Sequence, residues 1–104
     1  MPRRWPHPRR PAAPSQVVCT AHAAARWAER QGPGLSGQPT LLDAWAHAGP
    51  LGVWGGWWGW QCGQIVLVAR RGPRWWTIVS VWTLGMWERW QRRPARRRVR
   101  DGGE

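Results

Sequence analysis

Gln64–Arg70 (QIVLVAR) and Trp75–Leu84 (WWTIVSVWTL), joined by Arg71-Gly72-Pro73-Arg74, decide the fold. Both runs are rich in β-branched and aromatic side chains, which suit a pleated, half-buried surface, and glycine followed by proline is turn chemistry. The reading is strand, short turn, strand. Alternation along the second run puts Trp75, Thr77, Val79, Val81 and Thr83 on one face, and Trp76, Ile78, Ser80, Trp82 and Leu84 on the other. Just upstream, Val53–Trp60 (VWGGWWGW) reads as one earlier strand bulged at its glycines.

Moving towards the start of the chain, the period changes. Thr20 is a good N-cap, alanines 21, 23, 24, 25 and 28 favour helix, and Gly32-Pro33 is a stop signal. Ala23 and Trp27, with Ala24 and Ala28 beside them, form a face suited to packing on a sheet. His22, Arg26 and Arg30 follow one another at four-residue spacing on a different strip. A second helix is expected from about Ser36 to Ala48, capped by Ser36, with Pro39 in its first turn and Leu41, Leu42 and Trp45 buried. The fold class is therefore α+β: two N-terminal helices packed on a small antiparallel sheet. Residues 1–16 read as a disordered basic Pro/Arg arm, 17–90 as a single domain and 91–104 as a basic tail.

Charge and composition bound the function. The 104 residues carry 16 basic side chains, all arginine, against 5 acidic ones, for a net charge of +11. There is no Lys, Phe, Tyr or Asn, while Trp appears 12 times, so codon bias makes arginine the only strong cation and tryptophan the only aromatic side chain. Most of the positive charge lies on the two ends. Such a balance favours an anionic partner, because arginine-rich segments neutralise phosphates and tryptophans stack on unpaired bases. Two cysteines, Cys19 and Cys62, do not staple a secreted scaffold, and no cleavable leader is visible, so a cytoplasmic location is expected. The uncharged stretch from Ala48 to Ala69 is long enough for a bilayer span, but it holds Pro50, Gln61, Gln64 and six glycines; no membrane span is expected.

Three short stretches, taken together, resemble a known family. Thr20–Ser36 (TAHAAARWAERQGPGLS) is similar to the T-x-H-A-x-x-R-x-x-E-R opening of small bacterial and phage proteins. Gly63–Arg70 (GQIVLVAR) and Trp76–Thr83 (WTIVSVWT) resemble their later strands. The resemblance is to the toxin-like ribonuclease fold shared by RelE and barnase-type enzymes, and it covers about residues 17–84. It implies a small RNA-engaging protein, extending to metal-independent RNA cleavage with an antitoxin or host protein as partner. His22 and Arg26 match the family's H-x-x-x-R, and Thr77, Ser80 and Thr83 fall on the strand where such folds place polar site residues. The implied catalytic set is His22, Arg26, Thr77 and Thr83. His22 would act as base or acid, and Arg26, Arg70 or Arg74 would hold the phosphate. On this reading His22 and Arg26 face the Thr/Ser residues of the last strand across a shared concave surface. The chain departs from RelE-like enzymes in lacking the Lys and Tyr that those enzymes use.

Arg30, Arg70, Arg71, Arg74, Arg92, Arg93, Arg96, Arg97 and Arg98 are the expected nucleic-acid contacts. The alternative class is a non-enzymatic phage or bacterial accessory protein binding nucleic acid or a host protein. A third is a peripheral membrane protein using Trp and Arg at the interface. Plainer roles stand beside these: Arg26 and Arg30 pairing with Glu29 or Asp43, and His47 serving the C-terminus of its helix. Cys19-x2-His22 has ligand-like spacing, with Cys62 and His47 as remote completions. No second close pair exists, so no metal and no cofactor are expected, and both cysteines read as small buried hydrophobes.

Overall fold

The computed structural model describes residues 16–92; most of the basic arm and tail, including Arg93, Arg96, Arg97 and Arg98, lie outside the described residues. In chain order the elements are β1 (Val17–Cys19), α1 (Ala21–Glu29), α2 (Gly32–Ser36), α3 (Leu41–His47), β2 (Gly49–Trp54), β3 (Trp57–Cys62), β4 (Ile65–Arg71), β5 (Trp76–Thr83) and α4 (Leu84–Gln91). The fold is α+β, with one five-stranded mixed sheet in the order β1-β5-β4-β3-β2. The expected sheet was purely antiparallel. Instead β1 pairs parallel to β5, with Val17 opposite Trp76 and Cys19 opposite Ile78. The chain passes through α1, α2 and α3 to β2 at the opposite edge, and the β2–β5 meander then brings β5 back beside β1.

Local signals fix most of the boundaries. Thr20 Oγ1 accepts the Ala23 amide (3.0 Å), and the Thr20 amide donates to the Ile78 carbonyl (3.0 Å), so one residue caps α1 and ties it to β5. The Gly32-Pro33 stop instead opens α2, since proline is tolerated in a first turn; Gln31 turns the chain there at φ 55°. The second helix is shorter than expected. Ser36 closes α2, Thr40 caps α3 through the Asp43 amide (3.1 Å), and Pro39 lies ahead of the helix. Leu42 is exposed, and Ala44 takes its place in the core.

The glycine-rich run is a hairpin rather than one bulged strand. Gly55 and Gly56, at φ 59° and 87°, form a two-residue turn between β2 and β3, with Trp54 opposite Trp57. The strong hairpin is β4–β5, but its alternation is broken once. Val68 pairs with Ser80 and Ala69 with Ile78, leaving Val79 as a bulge. Val81 therefore joins Trp76 and Ile78 on the core face instead of sharing a face with Val79.

The sheet is covered on both faces, not by two N-terminal helices alone. On one face α1 and α3 contribute Ala23, Trp27, Ala44 and Trp45, which pack on Trp58, Trp60, Leu67, Trp76 and Ile78. The four rings of Trp45, Trp58, Trp60 and Trp76 lie with centroids 5.2 to 6.0 Å apart, mostly edge-to-face or tilted, as aromatic quadrupoles prefer. On the other face the C-terminal α4, capped by Thr83 through the Met86 amide (3.2 Å), buries Trp87 against Val66 and Val68. No helix among the described residues is long and apolar enough to cross a membrane.

Candidate nucleic-acid interface

Eight residues of α4 do not span the sheet face on which they lie, and what they leave uncovered is aromatic. The outer benzene edge of Trp87 fits over Gly59 because that residue has no side chain; a Cβ there would stand 2.7 Å from the ring. Around it Trp57, Trp82 and Trp90 are half-buried. With Val68, Val79 and Ser80 they line a groove of about 270 Å³. A second hollow of about 270 Å³ is lined by Trp82, Met86, Arg89 and Trp90. Trp82 thus borders both, its ring centroid 5.4 Å from that of Trp90 at an interplanar angle of 77°.

Cations rim this aromatic surface. The Arg70 guanidinium lies over the Trp57 ring at 5.5 Å from its centroid, and exposed Arg89 lines the second hollow. The polar strip of α1 follows the outer edge of β5. At its start His22 Nε2 is 3.5 Å from Ser80 Oγ, the long end of a hydrogen bond. At its end Arg30 Nε donates to Met86 Sδ at 3.4 Å. Arg26 pairs with Glu29 at 2.6 Å, and Arg30 Nη1 is buried with no hydrogen-bond acceptor, only the same carboxylate at 3.9 Å. Nη1 of Arg30 is thus enclosed by the protein rather than displayed to solvent.

No hydrogen bond joins any two of His22, Arg26, Thr77 and Thr83, the expected catalytic set. His22 meets Ser80. Arg26 is held by Glu29 on the same helix. Thr83 spends its hydroxyl capping α4, and Thr77 is a half-buried sheet residue between Val18 of β1 and Arg70 of β4. Arg71 and Arg74 are exposed at the far hairpin turn, with Arg71 over the Trp76 ring at 5.8 Å, and Arg92 ends α4. His47 Nδ1 donates to the Asp43 carbonyl (2.9 Å), one turn back in α3.

Cys19 is exposed, contrary to its reading as a buried hydrophobe, because a three-residue edge strand leaves one face open. Cys62 is buried, its thiol directed at the Ser36 carbonyl, and burial pushes its pKa up, so it stays a protonated, unreactive thiol. No cluster of three metal-ligating side chains occurs among the described residues.

Sequence reasoning missed the groove itself: Trp57, Trp82, Trp87, Trp90 and Arg89. One signal was available. Thr83 followed by Met86, Trp87 and Trp90 is a cap and an apolar stripe at helical spacing. Comparison with protein-family models, curated proteins and solved structures returned no match.

Proposed function

We propose that the protein binds single-stranded RNA, with bases stacked on Trp57, Trp82 and Trp90 and phosphates held by the surrounding arginines. The observation that carries this reading is the half-buried tryptophan groove bordered by Arg70 and Arg89. Flat π-surfaces beside guanidinium groups are the two ingredients of sequence-tolerant single-strand binding.

Tryptophan fluorescence titration of the full chain with a uridine 12-mer tests it. Trp82→Ala and Trp90→Ala should each weaken binding by about 1–3 kcal/mol, the usual worth of one stacked base. Arg89→Ala, an exposed change, should weaken it without altering the circular dichroism spectrum. Wild-type affinity in all three variants would exclude the groove.

Metal-independent cleavage is the second reading, favoured by one contact: exposed His22 against Ser80 on the groove wall. It expects 2′,3′-cyclic phosphate ends after incubation with RNA and their loss in His22→Ala; intact RNA after prolonged incubation leaves binding as the function.

A further inference from the structure

The opposite end of β5 carries a second aromatic and cationic surface, away from the groove along the strand. Trp75 is 50% exposed at the β4–β5 turn. It lines a concavity of about 150 Å³ with Gln16, Arg71, Pro73 and Arg74. The platform is fixed. The Gly72 amide donates to the Trp75 carbonyl (2.9 Å), and Arg71 is laid over the buried Trp76 ring. Neither Glu29, Asp43 nor Glu88, the acidic residues of the described region, lines it.

We propose that this hairpin tip is a second stacking station on the same strand of RNA, Trp75 receiving a base and Arg71 and Arg74 its flanking phosphates. The proposal rests on the groove reading and extends it to the length of ligand bound. Seven residue steps lead from Trp75 to Trp82, roughly 23 Å of extended strand at about 3.3 Å per residue. At about 3.4 Å per stacked step that distance is on the order of seven nucleotides, within the range of about 4–16 over which compact single-strand binders act. Between the two stations lies Arg70, on the strand that leads from the groove to the turn and over the Trp57 ring. A ligand shorter than the separation reaches one station only, whereas a longer one engages both and gains from their tethering.

Ligand length separates this proposal from the one beneath it. Fluorescein-labelled uridine oligomers of 3 and 12 nucleotides are titrated with full-length wild type, Trp75→Ala, Trp75→Phe and Trp82→Ala. Vesicles containing phosphatidylserine serve as a second anionic probe. Trp75→Ala should weaken the 12-mer about tenfold or more while changing the 3-mer less than about twofold, since one stacked base contributes on the order of five- to a hundredfold. Trp75→Phe should restore most of the loss, and Trp82→Ala should weaken both lengths. An unchanged 12-mer with Trp75→Ala overturns the second station but leaves the groove standing. So does an equal loss for both lengths, or a loss of vesicle binding without loss of RNA binding. Failure of both oligomers to bind wild type overturns the groove and the station together. Trp75 is a solvent-facing turn residue, so an unchanged thermal melt accompanies the expected result.

Discussion

Trp60 has no exposed surface, and its indole N–H has no acceptor, so its burial combines a large apolar gain with an unmatched polar group. A buried donor left unpaired costs about 1–3 kcal/mol. Phenylalanine at this position removes that donor but leaves a void where the second ring lay. The two effects oppose each other, and Trp60→Phe should change unfolding free energy by less than about 1.5 kcal/mol, as tolerated core swaps do. Trp60→Ala removes the partner of Trp45, Trp58 and Trp76 at once and should cost about 3–5 kcal/mol. Urea titration followed by far-ultraviolet circular dichroism measures both. A Phe variant as unstable as the Ala variant would mean that the indole nitrogen is satisfied and that ring volume alone matters.

Elements differ in how far their own residues announce them. Thr20 announces α1 because its cap is local, three residues from the amide it holds. Ile65–Arg71 and Trp76–Thr83 announce a hairpin because β-branched runs flank a Gly-Pro turn. The strand β1 has three residues, too few for a period, and exists through its pairing with β5 nearly sixty positions later. Misreading β2 and β3 as one strand has a definite cause. Gly59 lies under Trp87 for lack of room, whereas Gly55 and Gly56 supply a turn, and glycine looks alike in both roles. The bulge at Val79 is likewise invisible locally, since it is a mismatch between two strands. The groove is hidden in the same way: α4 makes it, and Thr83 both ends β5 and caps α4, a second role that the strand pattern does not display. The turn can be checked directly. Asparagine tolerates positive φ in the first position of such turns, whereas a β-branched residue does not. Gly55→Asn should leave the melting temperature within about 2 °C of wild type, and Gly56→Val should lower it by about 4–8 °C for each kcal/mol of strain introduced. Equal melts for the two would mean that β2 and β3 are not joined by this turn.

For the whole molecule, the distribution of positive charge decides how binding answers to salt. Each phosphate neutralised on a single strand releases counterions and contributes about −0.7 to the slope of log K against log salt concentration. Arg26 and Arg30 share the Glu29 carboxylate, which discounts them as free phosphate contacts. Arg70 and Arg89 at the groove and Arg71 and Arg74 at the turn make four cations along the proposed path. A 12-mer bound along that path should therefore show a slope near about −3. Engagement of the nine arginines that lie outside residues 16–92 would drive it to about −6 instead. Fluorescence anisotropy between 50 and 300 mM NaCl separates the two regimes. Arg74→Ala and Arg89→Ala should each make the slope shallower by about 0.7, whereas a slope near about −6 that neither change alters would move the binding off the folded surface and onto the basic ends.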